Sequence, residues 1–421
     1  MVQHSPEPDA DDVFDSFQTL SMVDHDVSKA ELQKLNQRVL KACMDFVHSV
    51  RVLQASLAWY ENDIAQDTAR LSYLHRRLEE VASAVSSSAT AVRFWQDHPY
   101  RYQNGPTLFW PLDEHDGCGE MPEPPKYLFR TADDSSSGQN NVDFIASAAS
   151  IVSPGLSKID LLSPRTRSTA AQRLHNHLRK QCFDDQDITD NLSSWSSSLL
   201  FVVQYALWRA RKGRRPLDQV MIYAVDTTEF PRGQFASDKW LLKKLGDDVP
   251  ATSWEWSLMT LRAKGYDNGE YLSQGMVDIR NRSCAISLAN LLFSGLYDLY
   301  PEFKDQTGSE KWTKRVQDLR SDWAASNKTT RDEISSAMQV AATCFEGFNY
   351  LDIAVVLLTF KNRRRLNDDE SSETGSWAEY GPAEVQRFYI VMQEIRSRGS
   401  IDDLTWFGIS AALKSVFECE E

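Results

Sequence analysis

The chain has 421 residues, 42% hydrophobic and 25% charged, with 12 Trp. This mixture supports a sizeable packed core in two or three domains and argues against wholesale disorder. A formal net charge of -14 disfavours nucleic acid and anionic membrane as general partners. The six cysteines are widely spaced with no CxxC pair and read as reduced thiols, which points to an intracellular protein of the cytoplasm or nucleus.

Residues 1–26 read as a disordered acidic tail, with neither the basic nor the apolar region of a secretory leader. Residues 27–98 contain no Gly or Pro. Apolar residues recur there in alternating steps of three and four, as in Leu32, Leu35, Val39, Ala42, Phe46, Val50, Leu53 and Leu57. That is the seam of a coiled coil, with Asp67 as its polar position. Unbroken, it would span roughly 100 Å at 1.5 Å per residue. It serves self-association or a partner helix, or it folds back as a helical hairpin. Residues 99–126, rich in Pro and Gly, read as a linker whose aromatics Tyr100, Tyr102, Phe109 and Trp110 pack on something.

Residues 127–281 alternate strand-like and helix-like pieces. Tyr127, Leu128, Phe129 and Arg130 make a short strand, and the serine-rich segment 194–198 leads into an apolar helix over 199–211. Residues 219–225 are the strongest strand signal, and 270–279 reads as two short strands around Gly275. From 282 to the end the pattern is helical, over 285–299, 309–325, 330–360, 383–397 and 400–417, with Ser400 as a cap and a polar loop at 366–376. The apolar run 351–360 is too short to cross a membrane and suits a buried helix.

The middle segment carries, in order, an Arg on a strand, a Ser-rich strand end feeding a helix, an apolar strand and a Glu on a later strand. This order resembles the Arg-Ser-Glu pattern of ADP-ribosyltransferases of the cholera-toxin and heat-labile-enterotoxin type. Its carriers are Arg130, the run Ser196, Ser197 and Ser198, and the segment from Asn268 to Ser273 containing Glu270. The segment also looks like an uncharacterised domain of filamentous-fungal proteins that opens with the same Leu-Phe-Arg. The resemblance implies an α+β fold, with a small split β-sheet core between the N-terminal coiled coil or hairpin and a C-terminal helical domain over 282–421.

It further implies NAD as substrate, bound by Arg130, Ser196, Ser197 and Ser198. An Arg offers a rigid fork of donors to a phosphate. The serines would hold the ribose and orient Glu270, and Glu270 would stabilise the cation that forms as the bond to nicotinamide breaks. The acceptor is unidentified, with protein as the expected class. Arginine-modifying relatives carry Glu two residues before the catalytic Glu; here that position is Asn268, and an amide cannot act as a general base. This leaves another acceptor, NAD hydrolysis, or a silent module working through its coiled coil, with the cleft filled by an aromatic such as Tyr266 or Tyr271. His175 and His177, two apart on a helix, point to different faces and are poor joint metal ligands with Cys182. The basic cluster from Arg209 to Arg215 suits a helix C-terminus, and nucleic acid is the lesser reading of it.

Overall fold

The chain divides into two compact units, Met1–Tyr102 and Gln103–Glu421. The computed structural model describes residues 107–109, 121–152, 154–162, 167–179, 190–245, 262, 266–305, 312–366, 381–398 and 405–420, all in the second unit. The acidic tail, the coiled-coil seam at 27–98 and the polar loop past Leu366 lie outside them. The described part is mixed α+β with split antiparallel sheets.

The larger sheet has six strands in the order β6-β7-β4-β1-β5-β9. They are β1 (Tyr127–Ala132), β4 (Leu192–Ser196), β5 (Met221–Asp226), β6 (Ala236–Ser237), β7 (Glu270–Gln274) and β9 (Ser283–Ser287). The smaller sheet pairs β2 (Gln139–Asn140), β3 (Phe144–Ala146) and β8 (Met276–Asp278). The expected strand pair around Gly275 is present, but its halves belong to different sheets. Gly275 makes the change of direction at φ +65°, and a Cβ there would come within 2.7 Å of the Ser157 carbonyl.

Alternation along β1 sorts its side chains between two cores. Tyr127 and Phe129 face an apolar cluster shared with α2 (Leu199–Gly213) and the later helices. Leu128 faces Ile145 and Val277 of the smaller sheet, with Trp195, Tyr223 and Tyr271. A third cluster joins Leu192 and Leu272 to α1 (Arg167–Leu178) and α3 (Asp238–Leu245) through Leu174, Leu178 and Leu241. Helices α1 and α3 therefore cover the β4–β7 end, next to the candidate site.

The C-terminal helices are α4 (Trp312–Asp322), α5 (Arg331–Cys344), α6 (Tyr350–Leu358), α7 (Ala383–Ser397) and α8 (Trp406–Val416). The helix expected over 330–360 is two. Thr330 and Glu333 form a capping box at the first, and Asn349 caps the second after Gly347 turns the chain at φ +83°. Thr405 caps α8; Ser400, the expected cap, lies outside the described residues.

The expected boundary at 282 also shifts. Residues 283–287 form β9, which pairs with β5 and places Ile286 opposite Ile222, both buried. A short apolar run reads equally as strand or buried helix by period, and here pairing with β5 decided. The helices share one core with β1, β5 and α2, so they build on the sheet and do not form a separate domain. The 99–126 stretch packs where it is described: Phe109 is buried and donates its N–H to the Gly233 carbonyl at 2.8 Å. Among the described residues, no helix is long and apolar enough to cross a membrane.

Candidate active site

Strands β4 and β7 bring the expected residues together, but in roles that alternation divides. Ser196 lies opposite Glu270 in the register, and Ser194 is two residues earlier on the same face. Ser194 Oγ donates to Glu270 Oε1 at 2.8 Å. Ser194 is half-buried, whereas Ser196, Ser197 and Ser198 are all buried. The serine that meets the candidate carboxylate is thus Ser194.

Ser196 serves the turn that carries Glu270: its hydroxyl donates to the Asn268 carbonyl at 2.6 Å and accepts the Ser198 N–H at 3.0 Å. Ser197 donates its N–H to the Gly269 carbonyl at 2.9 Å. Gly269 sits at φ +60°, and a Cβ there would collide with Ser197 Oγ, so only glycine fits this turn without a shift. Ser198 caps α2, accepting the Phe201 N–H at 3.1 Å, while its hydroxyl donates to Glu384 Oε1 at 2.5 Å. The Ser196 and Ser198 hydroxyls thus hold the strand end, the turn and the helix start, and Ser197 holds the turn through its backbone N–H.

Asn268 is fastened from the helical side. Arg320 Nη1 donates to Asn268 Oδ1 at 3.2 Å and to the Asp267 carbonyl at 2.9 Å, and Arg320 Nη2 pairs with Glu384 at 2.7 Å. Burial favours protonation of Glu384, but the Arg320 charge and the hydrogen bonds from Arg320 and Ser198 outweigh it and hold the carboxyl below its ordinary range.

Arg130 points away from Glu270. Register and alternation put Phe129, Ser196 and Glu270 on one face of the sheet and Arg130 on the other. Its guanidinium reaches the site only through the backbone, donating to the Ser194 carbonyl at 2.6 Å, while Nε donates to Asn140 Oδ1 at 2.9 Å. Burial pulls its pKa down to about 10, which leaves it charged at neutral pH. Tyr271 lies against Trp195 and the smaller sheet, so it does not fill the space beside Glu270.

Four further groups complete the array. Arg262 bridges two carboxylates, with Nη2 to Glu270 Oε2 at 2.9 Å and Nε to Asp238 Oδ2 at 2.7 Å. Burial pushes Asp238 above the ordinary carboxylate range despite that pairing. Burial opposes the charge on Arg262, yet Asp238 and Glu270 together raise its pKa. His177 Nε2 lies 2.7 Å from Ser194 Oγ, and its Nδ1 lies 2.8 Å from Asp190 Oδ2. Period-two alternation back from Ser196 would have found Ser194. The pairing of His177 with Asp190 spans 13 residues and leaves no periodic signal.

An apolar cleft lined by Tyr127, Phe129, Ser197, Glu384 and Phe388 contains none of Arg130, Ser194 or Glu270. It belongs to the packing between sheet and helices. In the basic cluster Arg209 pairs with Asp133 at 2.5 Å and Arg215 pairs with Asp134, while Arg211, Lys212 and Arg214 are exposed. Among the described residues, no group of three or more His, Cys, Asp or Glu side chains is placed to hold a metal ion.

The family model of a domain of unknown function (DUF7587) matches residues 123–281. The match opens just before β1 and closes just after β8, so it takes in Arg130, His177, Ser194, Asp238, Arg262 and Glu270 together. Strand β9 and the C-terminal helices lie beyond it. No curated protein and no solved structure matches the chain.

Proposed function

We propose that this core performs NAD-dependent mono-ADP-ribosyl transfer or NAD glycohydrolysis, with Glu270 as the residue that stabilises the transition state. The observation that carries the reading is the double engagement of Ser194. Its carbonyl receives Arg130 and its hydroxyl meets Glu270, so the three residue types of the Arg-Ser-Glu pattern are bonded in one chain. A carboxylate held by a neighbouring hydroxyl is preorganised to face a developing cation without reorganising as the glycosidic bond breaks. Arg130 positions the strand from behind, and Ser196 orients the turn. Asn268 cannot take a proton from an acceptor, which favours water or an acceptor that needs no general base from that position.

The test is release of nicotinamide from NAD by the full chain, with Glu270→Gln beside it. Wild type should turn over, and the variant should lose at least about a hundredfold in kcat, the scale on which a single preorganised electrostatic contact acts. Absence of both turnover and NAD binding in the wild type would refute the enzyme reading.

A second reading has its own observation. Glu270 is already neutralised by Arg262, and Arg130 is committed to Ser194 and Asn140. A core with those charges satisfied internally suits a silent module that works through partners, with residues 27–98 as the interaction segment for a second copy or a partner helix. Under this reading Arg262→Ala leaves NAD binding undetectable. Under the first, the same change uncovers Glu270 and leaves turnover intact or raised.

A further inference from the structure

Ser194 stands between two groups that both want its one hydrogen. Its Oγ is 2.7 Å from His177 Nε2 and 2.8 Å from Glu270 Oε1, and His177 Nδ1 is 2.8 Å from Asp190 Oδ2. Asp190 Oδ1 takes the Leu192 N–H at 3.1 Å, as suits a carboxylate that also receives a hydrogen from His177 Nδ1.

The hydrogens can then be counted. If Ser194 donates to Glu270, His177 must donate from Nε2, and both ring nitrogens carry hydrogen. If Ser194 donates to His177, Glu270 must itself carry a hydrogen to meet Ser194 Oγ. With Asp190 ionised, as its acceptance of the Leu192 N–H suits, any other arrangement sets two lone pairs against each other at hydrogen-bond distance. Both permitted arrangements contain the same one extra proton, on His177 or on Glu270, and they interconvert by a shift of hydrogens through the Ser194 hydroxyl. Arg262 on Glu270 Oε2 favours the ionised carboxylate and so the proton on His177.

We propose that His177 and Asp190 are positioning residues for Glu270, keeping its proton on the imidazole through Ser194 so that Glu270 faces the site as an anion. This rests on the reading of Glu270 as the charge that meets the oxocarbenium-like transition state. Among the described residues, the charged groups around the array include Arg130, which holds the Ser194 carbonyl, and Arg262 with Asp238 and Asp267 beyond Glu270; His175 and Arg179 lie on or just past the helix that carries His177. The same Asp-His-Ser distances would suit an activated serine nucleophile. Glu270 opposes that role, because its carboxylate lies 2.8 Å from Ser194 Oγ, beside the negative charge that attack on a carbonyl creates.

The experiment is nitrogen NMR of the full chain labelled at histidine, with His177 assigned through His177→Gln. In wild type near neutral pH both His177 ring nitrogens should carry hydrogen, and in Glu270→Gln only Nδ1 should. Asp190→Asn should also change the ring state. An identical ring state in wild type and Glu270→Gln overturns the proposal, and so does covalent labelling of Ser194 by a fluorophosphonate. If wild type turns over NAD, His177→Gln should lower kcat roughly tenfold at unchanged KM, as expected for a misplaced catalytic group, and an unchanged kcat overturns the proposal. If wild type does not turn over NAD, the function reading fails while the ring-state comparison still decides the array.

Discussion

Two carboxylates in this fold are built from the same parts. Glu384 accepts from Ser198 and pairs with Arg320; Glu270 accepts from Ser194 and pairs with Arg262. The serines stand four residues apart around the end of β4. What separates the pairs is solvent: the Glu384 side chain is 3% exposed and the Glu270 side chain 23%. Buried, the arrangement is a lock that ties α2, α4 and α7 to the Asn268 turn. At the rim it is a charge that solvent can reach. Identical chemistry therefore gives a stability element in one place and a candidate reaction centre in the other, with accessibility as the deciding variable.

That contrast is sharpest in stability. Glu384→Ala should cost about 3–5 kcal/mol, because it strands the Arg320 charge in a buried site. Glu270→Gln should cost no more than about 1 kcal/mol, with its main effect on NAD turnover. Urea unfolding of the two variants decides between them, and equal losses would erase the distinction. The pH dependence has a definite sign. Glu384 is held below its unfolded value, so its contribution is fully present above the ordinary glutamate range and is lost as pH falls through the depressed value. Melting curves at descending pH should therefore converge for wild type and Glu384→Gln.

The turn linking the two centres is the next point of attack. Gly269→Ala places a methyl against Ser197 Oγ at φ +60° and should cost about 1–3 kcal/mol. Because the displaced turn carries Glu270, NAD turnover should fall with stability; a stable variant with intact turnover would show that the turn does not position the carboxylate. A small effect, on the scale of Glu270→Gln, is expected at Ser194→Ala. Removing a half-buried hydroxyl should cost about 1 kcal/mol in unfolding experiments, while leaving His177 and Glu270 without their shared partner. A larger loss would place Ser194 with the buried lock.

Much of the core was legible before any coordinates. The alternation at Tyr127 to Arg130, the apolar strand before Asp226, the serine-capped helix and the break at Gly275 all follow local rules of period and backbone freedom. The order Arg, Ser, Glu is legible in the sequence, and β4 and β7 place Ser194, Ser196 and Glu270 on one face. The choice of serine was not: Ser196 stands directly opposite Glu270, but the hydroxyl that meets the carboxylate belongs to Ser194. Arg130 shows a second limit, since its place on the opposite face depends on the register with Ser196, which no local pattern specifies.

Residue order, periodicity and caps determined by themselves that the middle of this chain is a strand-and-helix core followed by helices, because these are interactions between near neighbours along the backbone. Only the tertiary structure decided that β9 extends the sheet, that the helices share its core, that Ser198 serves a lock while Ser194 serves the rim, and that His177, Asp190 and Arg262 converge on Glu270. Those outcomes depend on strand pairing and on burial across tens to hundreds of residues, where solvent access, more than residue type, sets what a carboxylate can do.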